Sequence, residues 1–302
     1  MGLAMLAASA PWRPKRVEAS ASGPAETARP ESAEAAGSGS AEATTSGTPE
    51  GVAERPERVA PLLGCVQAGL YGHLNGATSR VLEANGFNAV DVGAQDCCGA
   101  LHAHGGDLET ARSLARANID AFEAAEVDLV AVNTAGCGAA MKEYGTLLEG
   151  DEAYRERAVA FAARVRDVTE LLSEVGPREG APVTCSVAYD HPCHLLHGQG
   201  VRQPPLDVLA AVPDLEVTVI DKADECCGGA GIYGVTHPDL GGRIGGDKVE
   251  AVRRAGADVA CTPNPGCMMQ IGAELRLRGD RRAVVHPVEL LDLSDERAGY
   301  YG

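Results

Sequence analysis

The sequence predicts an α/β fold in which two homologous halves, each built around a parallel β-sheet, follow a disordered N-terminal segment. Hydrophobic stretches of strand length alternate with helical stretches from residue 58 onwards, an order typical of parallel sheets with right-handed crossovers. One pattern of cysteines also occurs twice, with equivalent cysteines 128 to 130 positions apart, as in a duplicated unit. We therefore expect three regions, at residues 1–57, 58–178 and 179–302.

The first region is rich in Ala, Ser, Glu, Gly and Pro, a composition typical of disordered segments. Its positive charges Arg13, Lys15 and Arg16 follow a mildly apolar start, the opposite order to that of a secretory signal. No stretch of the chain approaches the roughly 18 apolar residues of a membrane span. We expect a cytoplasmic protein, with at most peripheral association with the inner face of the cytoplasmic membrane.

The predicted elements of each half follow from hydrophobic runs and helix boundaries. In order, those of the first half are a strand at 59–64, a helix at about 72–85, a strand at 87–92, a helix at 107–125 and a strand at 127–132. Asp107 is the expected N-cap of the second helix. The last strand is an almost continuous apolar run, as in buried parallel sheets. The second half repeats this order, with strands at 183–189, 215–220 and 258–261.

Eight of the ten cysteines form the repeated pattern, which is a single cysteine, a Cys-Cys-Gly segment and another single cysteine. The two sets are Cys65, Cys97, Cys98 and Cys137 in the first half, and Cys193, Cys226, Cys227 and Cys267 in the second. All of them follow predicted strands, and ligands of parallel sheets collect beyond the carboxyl ends of the strands. We therefore expect the four cysteines of each half to converge and to bind a metal centre.

Four convergent thiolates suit an iron–sulfur cluster of the 4Fe–4S type or a tetrahedral zinc ion. The adjacent Cys-Cys pair favours the cluster, because neighbouring thiolates ligate two irons more easily than they ligate one ion. Gly99 and Gly228 are predicted cofactor-binding residues, since glycine lets the backbone turn sharply and approach the cluster closely. Zinc in one of the two halves stays an alternative.

The remaining candidates have less specific interpretations. Cys185 and Cys261 lie inside predicted strands, and we expect them to be core residues. Histidines near the predicted sites could ligate or tune a cluster, accept a proton or cap a helix, and these alternatives stay open. They are His102, His104, His191, His194 and His197. No phosphate-binding loop, Ser-His-Asp combination or paired-carboxylate arrangement is evident, so the pattern favours electron transfer over catalysis. The net charge of −17 argues against a nucleic-acid partner.

The motifs around the cysteines resemble those of the cysteine-rich CCG domain family, and within it those of glycolate oxidase iron–sulfur subunits. The similar segments are 97–104, 136–138, 141–145, 191–195, 197–200, 226–228, 264–270 and 286–291. The resemblance implies a non-catalytic subunit that takes electrons from a flavin-containing oxidase subunit acting on glycolate or a similar 2-hydroxy acid. It would pass them to a quinone or another acceptor. The alternatives are a lactate-utilisation-type CCG protein and a zinc-stabilised structural subunit.

The chain departs from these relatives in two ways. The resemblance implies an N-terminal ferredoxin domain, yet no such motif precedes Cys65. We therefore expect either a truncated form or a separate ferredoxin-type subunit as a further partner. Many family members also carry one more cysteine near the end of each set, where this chain has Thr134 and Asn264. Each half thus offers four cysteines rather than five, which argues against the noncubane cluster of part of the family.

Overall fold

The computed structural model describes residues 11–12 and 57–301. The disorder predicted for residues 1–57 concerns a segment that, apart from Pro11, Trp12 and Glu57, lies outside the described residues. Trp12 packs against the hydrophobic core of the body. In the described part of the chain, no helix is long and apolar enough to cross a membrane.

Two four-stranded parallel β-sheets form the body, which confirms the predicted fold class. The strands are β1 (Arg58–Pro61), β2 (Asn88–Ala89), β3 (Leu129–Val132), β4 (Val165–Asp167), β5 (Cys185–Tyr189), β6 (Leu215–Val219), β7 (Val259–Cys261) and β8 (Ala283–Val285). The first sheet has the order β2-β1-β3-β4 and the second has the order β6-β5-β7-β8. Because the second sheet reproduces the order of the first, the duplication seen in the cysteines extends to the topology.

Helices connect the strands. They are α1 (Cys65–Leu70), α2 (Gly72–Ala84), α3 (Ala100–His104), α4 (Leu108–Ala124), α5 (Ala135–Lys142), α6 (Tyr144–Leu147), α7 (Arg155–Ala162), α8 (Val168–Val175), α9 (Pro204–Ala210), α10 (Ile232–Thr236), α11 (Pro238–Ala255), α12 (Pro265–Leu277) and α13 (Pro287–Ala298), with a π-helix at His194–Gly198. The predicted N-cap of α4 is confirmed, since the Asp107 carboxylate accepts a hydrogen bond from the Thr110 N–H at 3.2 Å.

The observed strands are shorter than the predicted ones. β2 covers only Asn88–Ala89, where the sequence predicts a strand over 87–92. It lies at the edge of its sheet and pairs with β1 alone, so nothing on its other side extends it. The edge strands β4 and β8, of three residues each, are not predicted, because so short a run has no measurable periodicity.

Successive residues of the first sheet face two different cores, as the alternation of side chains along a strand requires. Val59 and Ala131 belong to a core that also contains residues of the second half. Their neighbours Ala60 and Val130 belong to an outer core with Phe122 of α4. The core that contains Val59 and Ala131, called the inner core below, therefore joins the two halves into one body.

The last helix of each half packs against the other half. Helix α8 lies on α9, where the Ser173 hydroxyl donates a hydrogen bond to the Asp207 carboxylate at 2.6 Å. Helix α13 lies on α2, where the Arg80 guanidinium donates two hydrogen bonds to Asp292, at 2.9 and 2.7 Å. The two halves thus exchange one helix in each direction.

The exchanged helices begin with the same device, a capping box. Asp167 caps α8 together with Glu170, and His286 caps α13 together with Glu289. The predicted boundary between 178 and 179 falls in the loop after α8. The boundary between the two domains stays a prediction. It does not divide the hydrophobic core, because α8 packs against the following half.

Candidate metal centre

The eight repeated cysteines lie beyond the carboxyl ends of three strands in each sheet, the two inner strands and one edge strand. Cys65 begins α1 directly after β1, the Cys97-Cys98 pair follows β2, and Cys137 occupies the first turn of α5 after β3. The second half has the same arrangement, in which Cys193, the Cys226-Cys227 pair and Cys267 follow β5, β6 and β7. Parallel pairing brings the ends of these strands together, and this is why residues so far apart in sequence meet.

The thiols of the first half form a continuous chain of contacts. The Cys65 and Cys97 sulfurs are 3.3 Å apart. The Cys97 thiol interacts with that of Cys98, which in turn interacts with that of Cys137. Cys65 is exposed and Cys98 is buried, so the chain of thiols runs from the surface into the protein.

The thiols of the second half are connected in the same order. The Cys193 thiol hydrogen-bonds to Cys226, and the Cys226 thiol interacts with that of Cys227. The Cys227 and Cys267 sulfurs are 3.0 Å apart. Both halves therefore bring together all four of their predicted cysteines.

The thiols are arranged as two strings and not around two points. Between residues 57 and 301, no three Cys, His, Asp or Glu side chains are grouped in a way that could hold one metal ion. A tetrahedral zinc site needs four sulfurs at about 2.3 Å from a single centre. A 4Fe–4S cluster likewise takes four thiolates, one on each iron, so the four thiols of each string supply the number of ligands that either group needs.

Protons and metal compete for these sulfurs. In the first half, the hydrogen bond with Cys97 and burial raise the pKa of Cys65. The hydrogen bond with Cys137 and burial likewise raise the pKa of Cys98. In the second half, hydrogen bonds with Cys193 and Cys227 lower the pKa of Cys226, so that one thiolate is shared among neighbouring thiols. Metal binding must therefore release protons from both sites.

The glycine of each Cys-Cys-Gly segment is required by packing against a helix. Gly99 has φ +79°, and a Cβ there would lie 3.2 Å from the backbone of Ala111 in α4. Gly228 has φ +84°, and a Cβ there would lie 2.4 Å from the carbonyl oxygen of Gly241 in α11. The Gly228 N–H also donates a hydrogen bond to the Cys226 sulfur at 3.3 Å. Binding of a cofactor by either glycine stays a prediction.

Sequence reasoning missed the polar residues that hold the first Cys-Cys segment. The Asn118 amide donates to the Cys97 carbonyl at 2.9 Å and accepts from the Asp96 N–H at 2.9 Å. The Tyr144 hydroxyl donates to the Cys98 carbonyl at 2.9 Å. Asn118 lies on the buried face of α4 beside Ile119, and a polar residue on an otherwise apolar helix face was the available signal.

Thr134 and Asn264, at the positions of the additional family cysteine, behave differently. Asn264 points its amide at the metal site and donates a hydrogen bond to the Cys267 sulfur at 3.1 Å. The Thr134 hydroxyl instead accepts a hydrogen bond from the buried Gln67 amide. The second site thus has an N–H donor to sulfur where the first has a side chain that points into a polar core network.

Among the predicted histidines, His194 contacts a thiol of the second string. His194 lies closest, with its Nδ1 3.9 Å from the Cys193 sulfur, and its ring stacks on that of His104 with centroids 6.0 Å apart. Burial and the neighbouring His104 lower the pKa of His194. His102 contacts Asp107, and His197 contacts the Asp224 carbonyl.

The two cysteines outside the pattern and one further histidine belong to the interior. Cys185 and Cys261 are both buried in the inner core, which confirms the prediction that they are core residues. Burial raises the pKa of the Cys185 thiol to about 11. His191 is buried against the edge of Tyr189, with ring centroids 4.8 Å apart.

The sequence has clear relatives. A family model described as "Cysteine-rich domain" (CCG) matches residues 59–142 and 187–272. The chain is 36% identical to the probable glycolate oxidase iron-sulfur subunit of Bacillus subtilis over 81% of this chain and 55% of that protein. It is 32% identical to the glycolate oxidase iron-sulfur subunit of Escherichia coli over 84% of this chain and 62% of that protein.

Two further matches differ in how much of their length is covered. The chain is 28% identical to lactate utilization protein A of Exiguobacterium sp. over 78% of this chain and 96% of that protein. Among solved structures, a hypothetical protein from Helicobacter pylori superposes with a TM-score of 0.55 at 12% identity, over 80% of this chain and 49% of that chain, a likeness of fold alone.

The chain spans just over half the length of the Bacillus relative and about three fifths of the Escherichia one. The two segments that match the family model contain the two cysteine sets and span the first three strands of each sheet. The chain therefore belongs to the cysteine-rich CCG domain family and contains two copies of its domain.

Proposed function

We propose that the chain is an iron–sulfur electron-transfer subunit of a flavin-dependent 2-hydroxy-acid oxidase of the glycolate type. The observation that carries the proposal is the repeated string of four thiols, connected in the same order in both halves. The names of the relatives from Bacillus subtilis and Escherichia coli, which describe iron–sulfur subunits of glycolate oxidase, support it.

In this proposal the eight repeated cysteines are the ligands of two clusters, of the 4Fe–4S type. A bound cluster supplies one-electron transfer. The protein supplies the thiolates, excludes water around the buried thiols Cys98 and Cys227, and donates hydrogen bonds to sulfur from Gly228 and Asn264. Such N–H donors to sulfur favour the reduced state of a cluster.

The partners follow from this role. We infer a flavin-containing oxidase subunit as the electron donor, because hydride transfer from a hydroxy acid is flavin chemistry and an iron–sulfur cluster supplies one-electron transfer. A quinone or another carrier would accept the electrons, and a separate ferredoxin-type subunit could carry them between the two. The proposal places the protein in the cytoplasm, with at most peripheral membrane association.

A second candidate function is that of a lactate-utilisation protein. The observation that favours it is coverage, since the chain covers 93 to 98% of the length of three curated lactate utilization A proteins. The identity to these proteins, 28 to 29%, is lower than that to the glycolate oxidase subunits. Both candidates share the cluster sites and differ in the donor that reduces them.

The first test is the iron, sulfide and zinc content of the anaerobically purified full chain, with EPR spectra before and after dithionite. The proposal expects iron and sulfide in equal amounts and a signal that changes on reduction. Stoichiometric zinc without a reducible signal would overturn it and make the chain a structural subunit. The variant Cys185→Ala is the matched control, because it removes a buried thiol outside the two strings and should leave the iron content unchanged.

The second test separates the two candidates. The iron-loaded chain is mixed with a purified flavin-containing glycolate-oxidising subunit, and its reduction is followed by EPR after addition of glycolate or of lactate. Reduction by glycolate through that subunit supports the first candidate. Reduction only by lactate, with a lactate-oxidising partner, would replace it by the second.

A further inference from the structure

A buried ion pair lies beside the second thiol site. The Lys248 ammonium contacts the Asp190 carboxylate at 2.7 Å, and the two side chains are only 2% and 1% exposed. The Thr262 hydroxyl donates a second hydrogen bond to Asp190 at 3.2 Å. Removing two charges from water is costly, and their mutual attraction offsets this cost only with good geometry and further hydrogen bonds.

The ammonium also holds the loop that leads to Cys226 and Cys227. Lys248 donates hydrogen bonds to the carbonyl oxygens of Lys222, at 2.8 Å, and Ala223, at 3.3 Å. These carbonyls belong to the segment that follows β6 and ends at the Cys-Cys pair. Lys248, on the buried face of α11, therefore connects β5, this loop and α11 at one point.

The first half has neutral residues at all three equivalent positions. Counted back from the next repeated cysteine, Leu62 corresponds to Asp190, Asn118 to Lys248 and Val132 to Thr262. Asn118 holds its Cys-Cys segment through an uncharged amide. Since a neutral side chain suffices to position the segment in one half, the charges of the other half do something that positioning alone does not require.

The charges act on the neighbouring thiols. Asp190 lies three positions before Cys193, and Lys248 lines one cavity together with Cys226. Asp190 and the thiols are thus close enough to interact through a medium that screens charge weakly. The same field acts on any electron added to a centre held by these thiols.

We propose that Lys248 is a positioning residue for Cys226 and Cys227, and that its pair with Asp190 makes the second centre differ from the first in reduction potential. This inference rests on the proposed function. Each centre takes up one electron from an external reductant, here dithionite, and gains one negative charge. A nearby ammonium stabilises that charge and a nearby carboxylate opposes it.

The test is an EPR-monitored reductive titration of the anaerobically purified full chain and of two single variants. Asp190→Asn removes a negative charge and leaves the ammonium, so the midpoint potential of one centre should become more positive. Lys248→Met removes the ammonium, so the potential of the same centre should become more negative, and less iron should remain bound. Asp292→Asn, which removes one carboxylate from α13, is the charge-matched control and should shift neither centre.

A double variant keeps the inference testable if a single variant does not fold. Asp190→Leu combined with Lys248→Asn places the residue types of the first half in the second, so no charge is left buried alone. We expect it to retain iron in both sites and to bring the two midpoint potentials closer together. Iron-loaded variants whose potentials equal those of the unmodified chain would overturn the inference alone. An unmodified chain without iron would overturn the proposed function and the inference with it.

Discussion

The two halves of the chain hold four thiols in the same order, yet they secure the Cys-Cys segment by different means. The first half uses the Asn118 amide and the Tyr144 hydroxyl, both neutral. The second uses the Lys248 ammonium paired with Asp190. The sulfur atoms and the strand order have been kept in both copies, whereas the residues around them have diverged. The ligands therefore define what each site binds, and their surroundings define how the two sites differ.

The largest effect should come from removing a single thiol in either half. Cys97→Ser and Cys226→Ser each break one string of four, so each should remove about half of the bound iron and leave the other half loaded. Iron and sulfide analysis of the purified variants measures this. Loss of all iron from either variant would show that the two sites do not load independently. The core that the two halves share would then be the connection between the sites.

The next effect distinguishes the two ways of holding the loop. Lys248→Met leaves Asp190 buried without its partner and should lower the free energy of unfolding by about 3–5 kcal/mol. Asn118→Ala leaves neutral groups unpaired and should cost about 1–3 kcal/mol. Denaturant unfolding of the metal-free proteins, compared with the unmodified chain, gives both values. An equal decrease in the free energy of unfolding for both variants would contradict the view that a charged pair holds the loop in the second half and a neutral amide holds it in the first.

The exchanged helices allow a matched comparison in the core. Leu171 of α8 and Leu290 of α13 occupy equivalent positions and are both fully buried. Replacing either one by Ala should cost about 2–5 kcal/mol, because each change opens a cavity in the core that both halves share. Hydrogen exchange should show amides of both sheets losing protection together in each variant. Loss confined to one half would contradict a common core.

The smallest effect concerns pH, through the two equivalent caps Asp167 and His286. Burial raises the pKa of Asp167 to about 7 and lowers that of His286 to about 3. The folded protein then holds a proton on Asp167 that the unfolded chain releases above about pH 4, so this residue contributes stability that is lost as pH rises towards 7. His286 acts in the opposite sense, since protonation of the unfolded chain below about pH 6.5 costs stability as pH falls towards 3.

The variant Asp167→Asn isolates the acidic cap. Between pH 5 and pH 8, the advantage of Asp over Asn in the free energy of unfolding should shrink by about 2–3 kcal/mol. Urea unfolding at the two pH values measures it, with Asp107→Asn, at an exposed cap, as the control that should show little change. An advantage that grows with pH would mean that Asp167 is ionised in the folded protein.

Much of this architecture can be predicted from the sequence, and there are physical reasons why the remaining features cannot. The alternation of apolar runs predicts the parallel sheets, and the spacing of the cysteines predicts that they meet. The edge strands β4 and β8 were missed because three residues carry no periodic signal. The exchange of α8 and α13 was missed because an amphipathic helix shows that it has a buried face, but not which sheet will cover that face.

The support around the thiols was harder still to predict. Lysine in a helix is usually exposed, and the burial of Lys248 depends on Asp190, 58 positions earlier in the chain. The pairing appears only when β5 and α11 are brought together. Asn264 departs from the family pattern already in the sequence, but its hydrogen bond to the Cys267 sulfur appears only in the folded chain.

The reciprocal exchange of helices also bears on how such a chain can arise. An isolated half would lose the contact of its α2 or α9 with a helix of the other half, and a second copy of the same half is the nearest source of that helix. Two copies related by a two-fold axis would satisfy each other, as swapped dimers do. Joining them end to end places that dimer inside one polypeptide. Once joined, the copies no longer have to be identical, and a charge pair such as Asp190 and Lys248 can appear in one centre alone.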